Sequence, residues 1–591
     1  MSANRNIKAT RGAKQSQTLV EGALILTVGV ALVKIIGAIF KIPLGNIIGE
    51  AGMGYYYSAY SLYVPFFTLA SAGFPAALSR QVAESVTLGR YRDAAKVRLI
   101  ARNAFLITGT LCFIGMVIAG FILTGSGSMN EKAIYAILAM CPSVFFCCMM
   151  GAYRGYNEGM RNMIPTATSQ VIEALGKLII GLGTAIVVVK IGENTFLNAV
   201  NTIGAGAGSG ENAVKVYGTL CYSLTDAQNA SYPFAAAAAL MGITLGSAAS
   251  LIYLLIRYKV KGSGITAEQL ANSPEPASTS TILKTFLRIG IPIALGVLSV
   301  NLTQLIDGVM IQSQLKNLSA NGLREIYGEL LDSQKDKDIP VFLYGVYNYG
   351  VTLYNLVPYL TQAFGTSALP NLAAAWITQD RPKIEESINS VFKLGALLAF
   401  PAGIGLCALS SEILHLLYPG TAAAEICPPM LRVLGIMAIF GALAAPINCM
   451  LQAVGKQMTP VKLMLCGAVI KLILNYVLVG SMSINIMGAP YGSLACYVFI
   501  VIGSIIILCR TAKIKLNLMS TFIKPLVSAI LCGIAAWGTC RVLETVTTSR
   551  IVPLVAICVA AAVYIISLFA LKTLTRGRFI ASQRRKIGKN T

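Results

Sequence analysis

The sequence predicts an all-α polytopic membrane protein of about 14 transmembrane helices, and three observations carry that reading. Charged residues make up 12% of the 591 positions and hydrophobic residues 55%, with a mean hydropathy of +0.70. A soluble domain averages about 25% charged residues. Apolar runs of roughly 18–28 residues recur from residue 19 to residue 571, each long enough to cross a hydrocarbon core of roughly 30 Å as a helix. Basic residues alternate between the segments joining those runs, as the positive-inside rule requires.

The spans fall at about 19–44, 56–79, 103–124, 133–153, 165–189, 233–256, 285–312, 341–373, 394–410, 426–452, 461–481, 486–508, 523–540 and 551–571. With both termini placed in the cytoplasm, 33 of the 47 Lys and Arg lie in or at the rim of inner segments and 9 in outer loops. An error of one span would scramble that asymmetry. The net charge of +23 therefore belongs to cytoplasmic loops rather than to a nucleic-acid surface. The fourteen cysteines fall mostly inside spans, where a thiol acts as a small hydrophobe. No disulfide framework or metal site is expected. The basic tail before residue 19 is followed by a run too long for a cleavable signal, so none is expected.

Two outer segments are long. Residues 190–232 are rich in Gly, Ala, Asn and Ser, and residues 313–340 are charged but nearly balanced. The stretch GAGAGSGENAV (204–214) has the look of a phosphate-binding Gly loop but lacks its Gly-Lys-Ser/Thr ending, and an ordinary loop is expected. The inner segment 257–283 contains KGSGITAEQLANSPEPASTS and reads as a linker.

An internal duplication organises the spans. Val64-Pro65-Phe66-Phe67-Thr68 in span 2 matches Val357-Pro358-Tyr359-Leu360-Thr361 in span 8. Gly159 and Pro165, around the entry to span 5, match Gly455 and Pro460 around the entry to span 11. Both matches lie about 295 residues apart. Two six-helix repeats follow, and because six is even they are parallel, an architecture frequent among secondary transporters. The expected organisation is a basic tail (1–18), an N-terminal lobe (19–256), the linker (257–283) and a C-terminal lobe (284–508). Two extra helices (509–572) and a basic tail (573–591) complete it.

Charges inside spans point to the site. A charge at the bilayer centre costs about 2.5–3.5 kcal/mol on insertion scales. The run VALVKIIGAIFKIP (30–43) nonetheless holds Lys34 and Lys41. Seven helical residues turn about 700°, so both point to nearly one side, roughly 10 Å apart. Glu173 and Lys177 in span 5, Asp307 in span 7, Arg432 in span 10 and Lys471 in span 11 complete the set. Lys34 lies mid-span and suits an internal cavity; Lys41 either faces that cavity or snorkels to the outer interface. Glu173 and Lys177, at i and i+4, are placed to pair. Cations outnumber anions, which suits an anionic, phosphate-bearing substrate. Pro43, Pro65, Pro75, Pro292, Pro358 and Pro370 fit either packing geometry or bending during alternating access.

Twelve spans in two halves plus a pair, VKIIG with a second cation before Pro43, GFPAALSRQVAE (73–84) and RGYNEGMRNMIPTATSQVIE (154–173) together resemble the SpoVB/MurJ-type flippases. Those belong to the multidrug/oligosaccharidyl-lipid/polysaccharide (MOP) exporter superfamily, whose members have MATE-like lobes. The resemblance covers essentially the whole chain. It implies a flippase moving an undecaprenyl-pyrophosphate-linked glycan, lipid II above all, from the inner to the outer leaflet. Peptidoglycan synthesis in growth, or spore cortex, is the implied setting. It also implies a substrate site at Lys34, at Lys41 (one residue further along than the second family cation) and at Arg80, with the two extra helices shaping a groove for the lipid tail. Asp307, Glu173 and Lys177 are the coupling or gating candidates. No nucleotide-binding motif is present, so membrane potential or an ion gradient is the expected energy source, with no cofactor. The expected partners are the polyprenyl-pyrophosphate-linked glycan, membrane lipids and cell-wall synthesis proteins, and the expected location is the bacterial cytoplasmic membrane. Three rivals stand beside this reading: a flippase for another glycan lipid, a MATE-like drug or cation exporter, and a membrane glycosyltransferase. An exporter of cations predicts an acidic cavity. A glycosyltransferase predicts paired carboxylates at an interface, and Glu50, Glu412, Glu425 and the only histidine, His415, form no such pattern.

Overall fold

The computed structural model describes residues 19–71, 73–203, 213–514, 518–547 and 551–571. The two basic tails and most of the Gly-rich stretch 204–214 lie outside the described residues, as does the side chain of Pro370. The described chain is helical apart from one short hairpin. Eleven helical stretches among the described residues are long and apolar enough to cross a membrane. One of them, Val28–Thr87, takes in two of the expected spans. Spans 7 and 8 fall on further helices, Thr279–Lys316 and the pair Ile339–Tyr354 and Leu356–Ile377.

The chain forms two compact units, Met1–Gly345 and Val346–Thr591. In the first, α1 (Leu19–Ser71), α2 (Gly73–Thr87), α3 (Tyr91–Gly125), α4 (Ala133–Gly159) and α5 (Ile164–Gly176) lead into a π turn (Lys177–Gly181). There follow α6 (Leu182–Ile203), the hairpin β1 (Val214–Val216) and β2 (Thr219–Cys221), α7 (Leu224–Lys261), α8 (Ala267–Ala271), α9 (Thr279–Lys316) and α10 (Ala320–Tyr327). The unit boundary falls within α11 (Ile339–Tyr354).

The expected loop between spans 1 and 2 is absent. α1 runs through it and breaks only at Gly49, whose φ of 59° and ψ of −172° lie in backbone space that glycine enters without steric cost. Just beyond the break, α11 sits against the α1 backbone. A Cβ on Gly54 would lie 2.0 Å from the Val341 carbonyl oxygen, and one on Gly345 would lie 1.9 Å from that of Glu50. α9 runs antiparallel to the rest of α1. Asn301 Nδ2 donates to Thr68 Oγ1 at 2.9 Å and Gln312 Nε2 to Ser58 Oγ at 2.9 Å. Packing thus assigns α9 to the first unit. The 257–283 boundary drawn from the repeat concerns duplication, a different property.

The helix α5 and its π turn lie against α7 through glycines. A Cβ on Gly176 would meet Gly246 Cα at 2.5 Å, and a Cβ on Gly242 would meet Gly181 Cα at 2.4 Å. In an uninterrupted α-helix, residues five apart diverge by about 140°. The π turn, with its i→i+5 geometry, brings Gly176 and Gly181 to one face. Close backbone contact of this kind replaces the hydrophobic drive that lipid cannot supply between helices.

The segment 257–283 is not a free tether. Thr266 caps α8 with a reciprocal capping box. The N-terminal turn of α3 holds the remainder: Arg92 Nε donates to the Leu270 carbonyl at 2.8 Å, Lys96 Nζ to that of Ala277 at 2.7 Å, and Asp93 Oδ1 accepts from the Ala277 N–H at 2.7 Å. Tyr156, at the end of α4, donates to the Ser263 carbonyl at 2.8 Å. At the opposite end of this unit, Asn130 Nδ2 donates to the Lys337 carbonyl at 3.0 Å, Lys132 pairs with Asp338, and Asn229 donates to the Ser333 carbonyl at 3.2 Å. All expected inner segments that make these contacts share one end, and all expected outer ones share the other.

The second unit holds α12 (Leu356–Ile377), α13 (Arg381–Ala408), α14 (Ser410–Leu417), α15 (Ala422–Ile426), α16 (Pro428–Ala453), α17 (Met458–Val479), α18 (Gly488–Ala512), α19 (Lys524–Glu544) and α20 (Val552–Ala570). Its core joins Leu372 of α12, Ile388 and Phe392 of α13, Ile447 of α16 and Leu508 of α18. The extra pair α19 and α20 docks on α13 through Phe400, Ala529, Ala536 and Ala560, with Tyr564 donating to the Leu397 carbonyl at 2.9 Å.

The glycine seam gives a direct test. Gly242→Ile should lower the thermal midpoint of the purified protein, since overpacking costs about 1–3 kcal/mol. Gly183→Ala, whose Cβ meets nothing within 4 Å, should leave it unchanged. Equal midpoints for the two variants would remove the seam from the account.

Candidate functional site

The charged groups of the first unit meet on α1, α4, α5 and the π turn. The run YYYSAYSLYVPFF (55–67) places Tyr56, Tyr60, Tyr63 and Phe67 at steps of four, three and four, one stripe of a helix. Their ring centroids succeed one another at 6.0, 6.0 and 5.2 Å, and Tyr57 joins edge-on to Tyr56 at 5.4 Å. Two lysines rest on this ladder. Lys41 Nζ donates to the Tyr57 hydroxyl at 2.9 Å and lies 4.9 Å from the Tyr57 ring and 5.6 Å from that of Tyr60. From the π turn, Lys177 Nζ lies 4.7 Å from the Phe40 ring, 6.0 Å from Tyr56 and 5.9 Å from Tyr60. Each cation faces the negative side of an aromatic quadrupole, and Tyr60 serves both. Lys34, exposed on the same helix as Lys41, is near enough to act electrostatically on Lys41 and Lys177.

Glu173 does not pair with Lys177. Its Oε2 accepts from Arg154 Nη2 at 3.0 Å, and its Oε1 accepts from Ser247 at 3.3 Å. Arg154 also donates through Nε to Ser169 Oγ at 2.8 Å and through Nη2 to Ser250 Oγ at 3.3 Å. The helical spacing itself is intact, with the Lys177 N–H on the Glu173 carbonyl; Arg154 and Ser247 take the carboxylate, and the Lys177 ammonium turns to the rings of Phe40, Tyr56 and Tyr60. Among the described residues Lys177 forms no ion pair. Three ammonium groups therefore gather, and the Glu173 carboxylate beside them is held by Arg154.

Lys34, Lys41 and Lys177 thus come together, with Glu173 beside them in a supporting pair. Arg80 lies exposed on α2 and forms no ion pair among the described residues. Asp307 is half-buried on α9, next to Gly308, whose Cβ would lie 2.1 Å from Ser61 Oγ. In the second unit, Lys471 is buried on α17 and Arg432 Nε donates to Ser410 Oγ at 3.2 Å. His415 stands on α14 with Nδ1 on the Ser411 carbonyl at 2.9 Å and Nε2 on Glu425 at 3.0 Å. The Ser411 carbonyl first, and then Glu425, hold it above its ordinary value. Sequence reasoning missed Arg154, which counts as a cytoplasmic residue by position. It also missed the tyrosine ladder, whose 4-3-4 spacing was readable.

Two family models match the chain: "Polysaccharide biosynthesis protein" over residues 19–209 and "MatE" over residues 344–477. The lipid II flippase MurJ of Bacillus subtilis (strain 168) is 24% identical over 539 residues, covering 88% of each chain. Stage V sporulation protein B of the same organism is 24% identical over 484 residues, covering 80% of each. The solved structure of lipid II flippase MurJ in an inward closed conformation aligns with 92% of this chain and 98% of its own, at 16% identity and a TM-score of 0.58. An inward-facing multidrug resistance MATE family transporter aligns with 80% and 95%, at 15% identity and a TM-score of 0.53. These likenesses give the chain the all-helical fold of the MurJ and MATE structures, and its apolar helices make it a multi-pass membrane protein. The lysine cluster falls inside the segment matched by the polysaccharide-biosynthesis model.

The Arg154–Glu173 pair can be tested by a double-mutant cycle. Arg154→Gln and Glu173→Gln should each destabilise the protein by about 1–3 kcal/mol, the cost of stranding a desolvated charge. The double variant should recover at least half of the summed loss in thermal unfolding. Additive losses would show that the two groups are not coupled.

Proposed function

We propose that this transporter flips an undecaprenyl-pyrophosphate-linked glycan precursor, lipid II in particular, from the inner to the outer leaflet by alternating access. The observation that carries the proposal is the cluster of Lys34, Lys41 and Lys177 against the tyrosine ladder, with the Glu173 carboxylate beside it held by Arg154. Such a wall attracts a diphosphate and repels a cationic drug. Lysines act on phosphate as compact point charges, and tyrosine rings offer surface to the sugars that follow. Similarity to MurJ over most of both chains supports lipid II as cargo. Both termini are cytoplasmic in this reading, with fourteen crossings. The basic-residue asymmetry and the gathering of outer segments at one end of the first unit support that orientation. Arg80, at the inner end of span 2, helps collect the head group, and Asp307 couples transport to the membrane potential or an ion gradient.

The test is outer-leaflet lipid II in cells depleted of their own flippase. The wild-type chain should restore it. Lys34→Ala, Lys41→Ala and Lys177→Ala should each lower the initial rate about tenfold or more at matched expression, the scale of one charge-assisted hydrogen bond. Exposed Lys383→Ala should not. Wild-type failure would redirect the proposal to another polyprenyl-linked glycan, and full activity of all three variants would remove the cluster from the mechanism.

A further inference from the structure

A second cleft lies at the expected outer end of the first unit, where Ala51 and Tyr55 of α1 reach its wall. It holds about 220 Å³ and is built from the starts of α4 and α7, the β1–β2 hairpin and residues 333–338. Its volume is below the roughly 300–1,000 Å³ of sites for drug-sized ligands, so it suits a single ring.

The walls have two kinds of surface. One is aromatic. Phe234 stacks with Tyr217 at 5.0 Å and lies 4.8 Å from Tyr135. Tyr135, Tyr217 and Tyr222 stay 46%, 36% and 49% exposed, far more than rings serving only as packing. Tyr217 reaches its place at a cost: it occupies the first position of the two-residue turn Tyr217-Gly218, with φ of 47°. Asn, Asp or Gly is the usual occupant there; the Tyr217 hydroxyl donates to the Val188 carbonyl at 2.9 Å, which holds the ring in place against Phe234. The other surface is polar and nearly neutral. Lys132 is paired with Asp338, Asp226 caps α7, and Gln334 Nε2 donates to Asn229 Oδ1 at 3.3 Å. Balanced charge argues against a phosphate or a metal cation as ligand. Exposed rings beside carboxamides and hydroxyls match a molecule with one apolar face and an equatorial belt of hydroxyls.

We propose that this cleft binds a pyranose ring of a glycan, stacked against the exposed rings of Tyr135, Tyr217 and Tyr222 with its hydroxyls on Asn229 and Gln334. The proposal rests on the reading that this end faces outward and that the cargo carries sugars. The cleft would then receive the head group after release from the lysine cluster.

The probe is N-acetylglucosamine, read by saturation-transfer difference NMR on the full-length protein in nanodiscs. Sorbitol, which has hydroxyls but no ring face, is the comparison. Wild type should transfer saturation to the sugar ring protons and not to sorbitol. Tyr135→Ala should weaken the sugar signal about fivefold, the scale of one aromatic contact, while Tyr135→Phe should retain it. Retention by Tyr135→Phe also shows that changes at this position leave the fold intact. Equal signals for sugar and sorbitol, no signal, or an unchanged Tyr135→Ala would each overturn the proposal. Sugar binding does not depend on transport, so the two readings fail separately: a positive signal in a chain that flips no lipid II sinks the cargo assignment alone, and restored flipping without a signal sinks the cleft alone.

Discussion

A lysine in hydrocarbon must find something to replace water, and the first unit is arranged around that requirement. Snorkelling would satisfy it cheaply at the membrane edge. Lys41 and Lys177 are instead met by aromatic faces and one phenol, which lower the charge's energy without cancelling it. Glu173 is treated in the opposite way. Arg154 and Ser247 satisfy its carboxylate. A full ion pair with Lys177 would have been more stable locally and useless for catching an anion. The tyrosine stripe is thus a compromise between the cost of keeping a charge and the need to keep it available.

Close helix contact is the companion constraint. Lipid provides no hydrophobic force between spans, so contact depends on small residues that let backbones meet. The glycines at 54, 176, 242, 246 and 345 fill that role at three junctions. Each junction fixes a helix that carries part of the cluster or leads into it. Gly54 and Gly345 hold the break after Gly49, beyond which the tyrosines begin.

Much of this was legible in the sequence. Span positions follow from hydropathy, and the charges that matter stand out because charges in spans are rare. Lys34 and Lys41 share a helical face by simple rotation, and they share one in the structure's electrostatics. What stayed hidden has definite causes. The Glu173–Lys177 spacing promised a pair, but Arg154 of another helix holds the carboxylate, a partner that no window along α5 contains. Arg154 sits just past the end of an apolar run, so position labels it a surface residue. The linker's Gly, Ser and Pro suggested freedom, but its carbonyls are bound by Arg92 and Lys96 nearly 180 residues earlier in the chain, a partnership no local window contains.

The π turn at Lys177–Gly181 adds one residue to a helix that is otherwise continuous from α5 into α6. Its effect is one of phase. The glycines on either side keep their register with α7 because the wider turn absorbs the extra residue. The site is therefore encoded partly as a length. Deleting one residue from 178–180 would let the wide turn close to a regular α turn with the two glycines four apart and still on one face, whereas inserting a further residue would turn α5 by about 100° against α6 and carry Glu173 away from Arg154. In such a protein a one-codon insertion is a more drastic change than replacing any single side chain of the cluster.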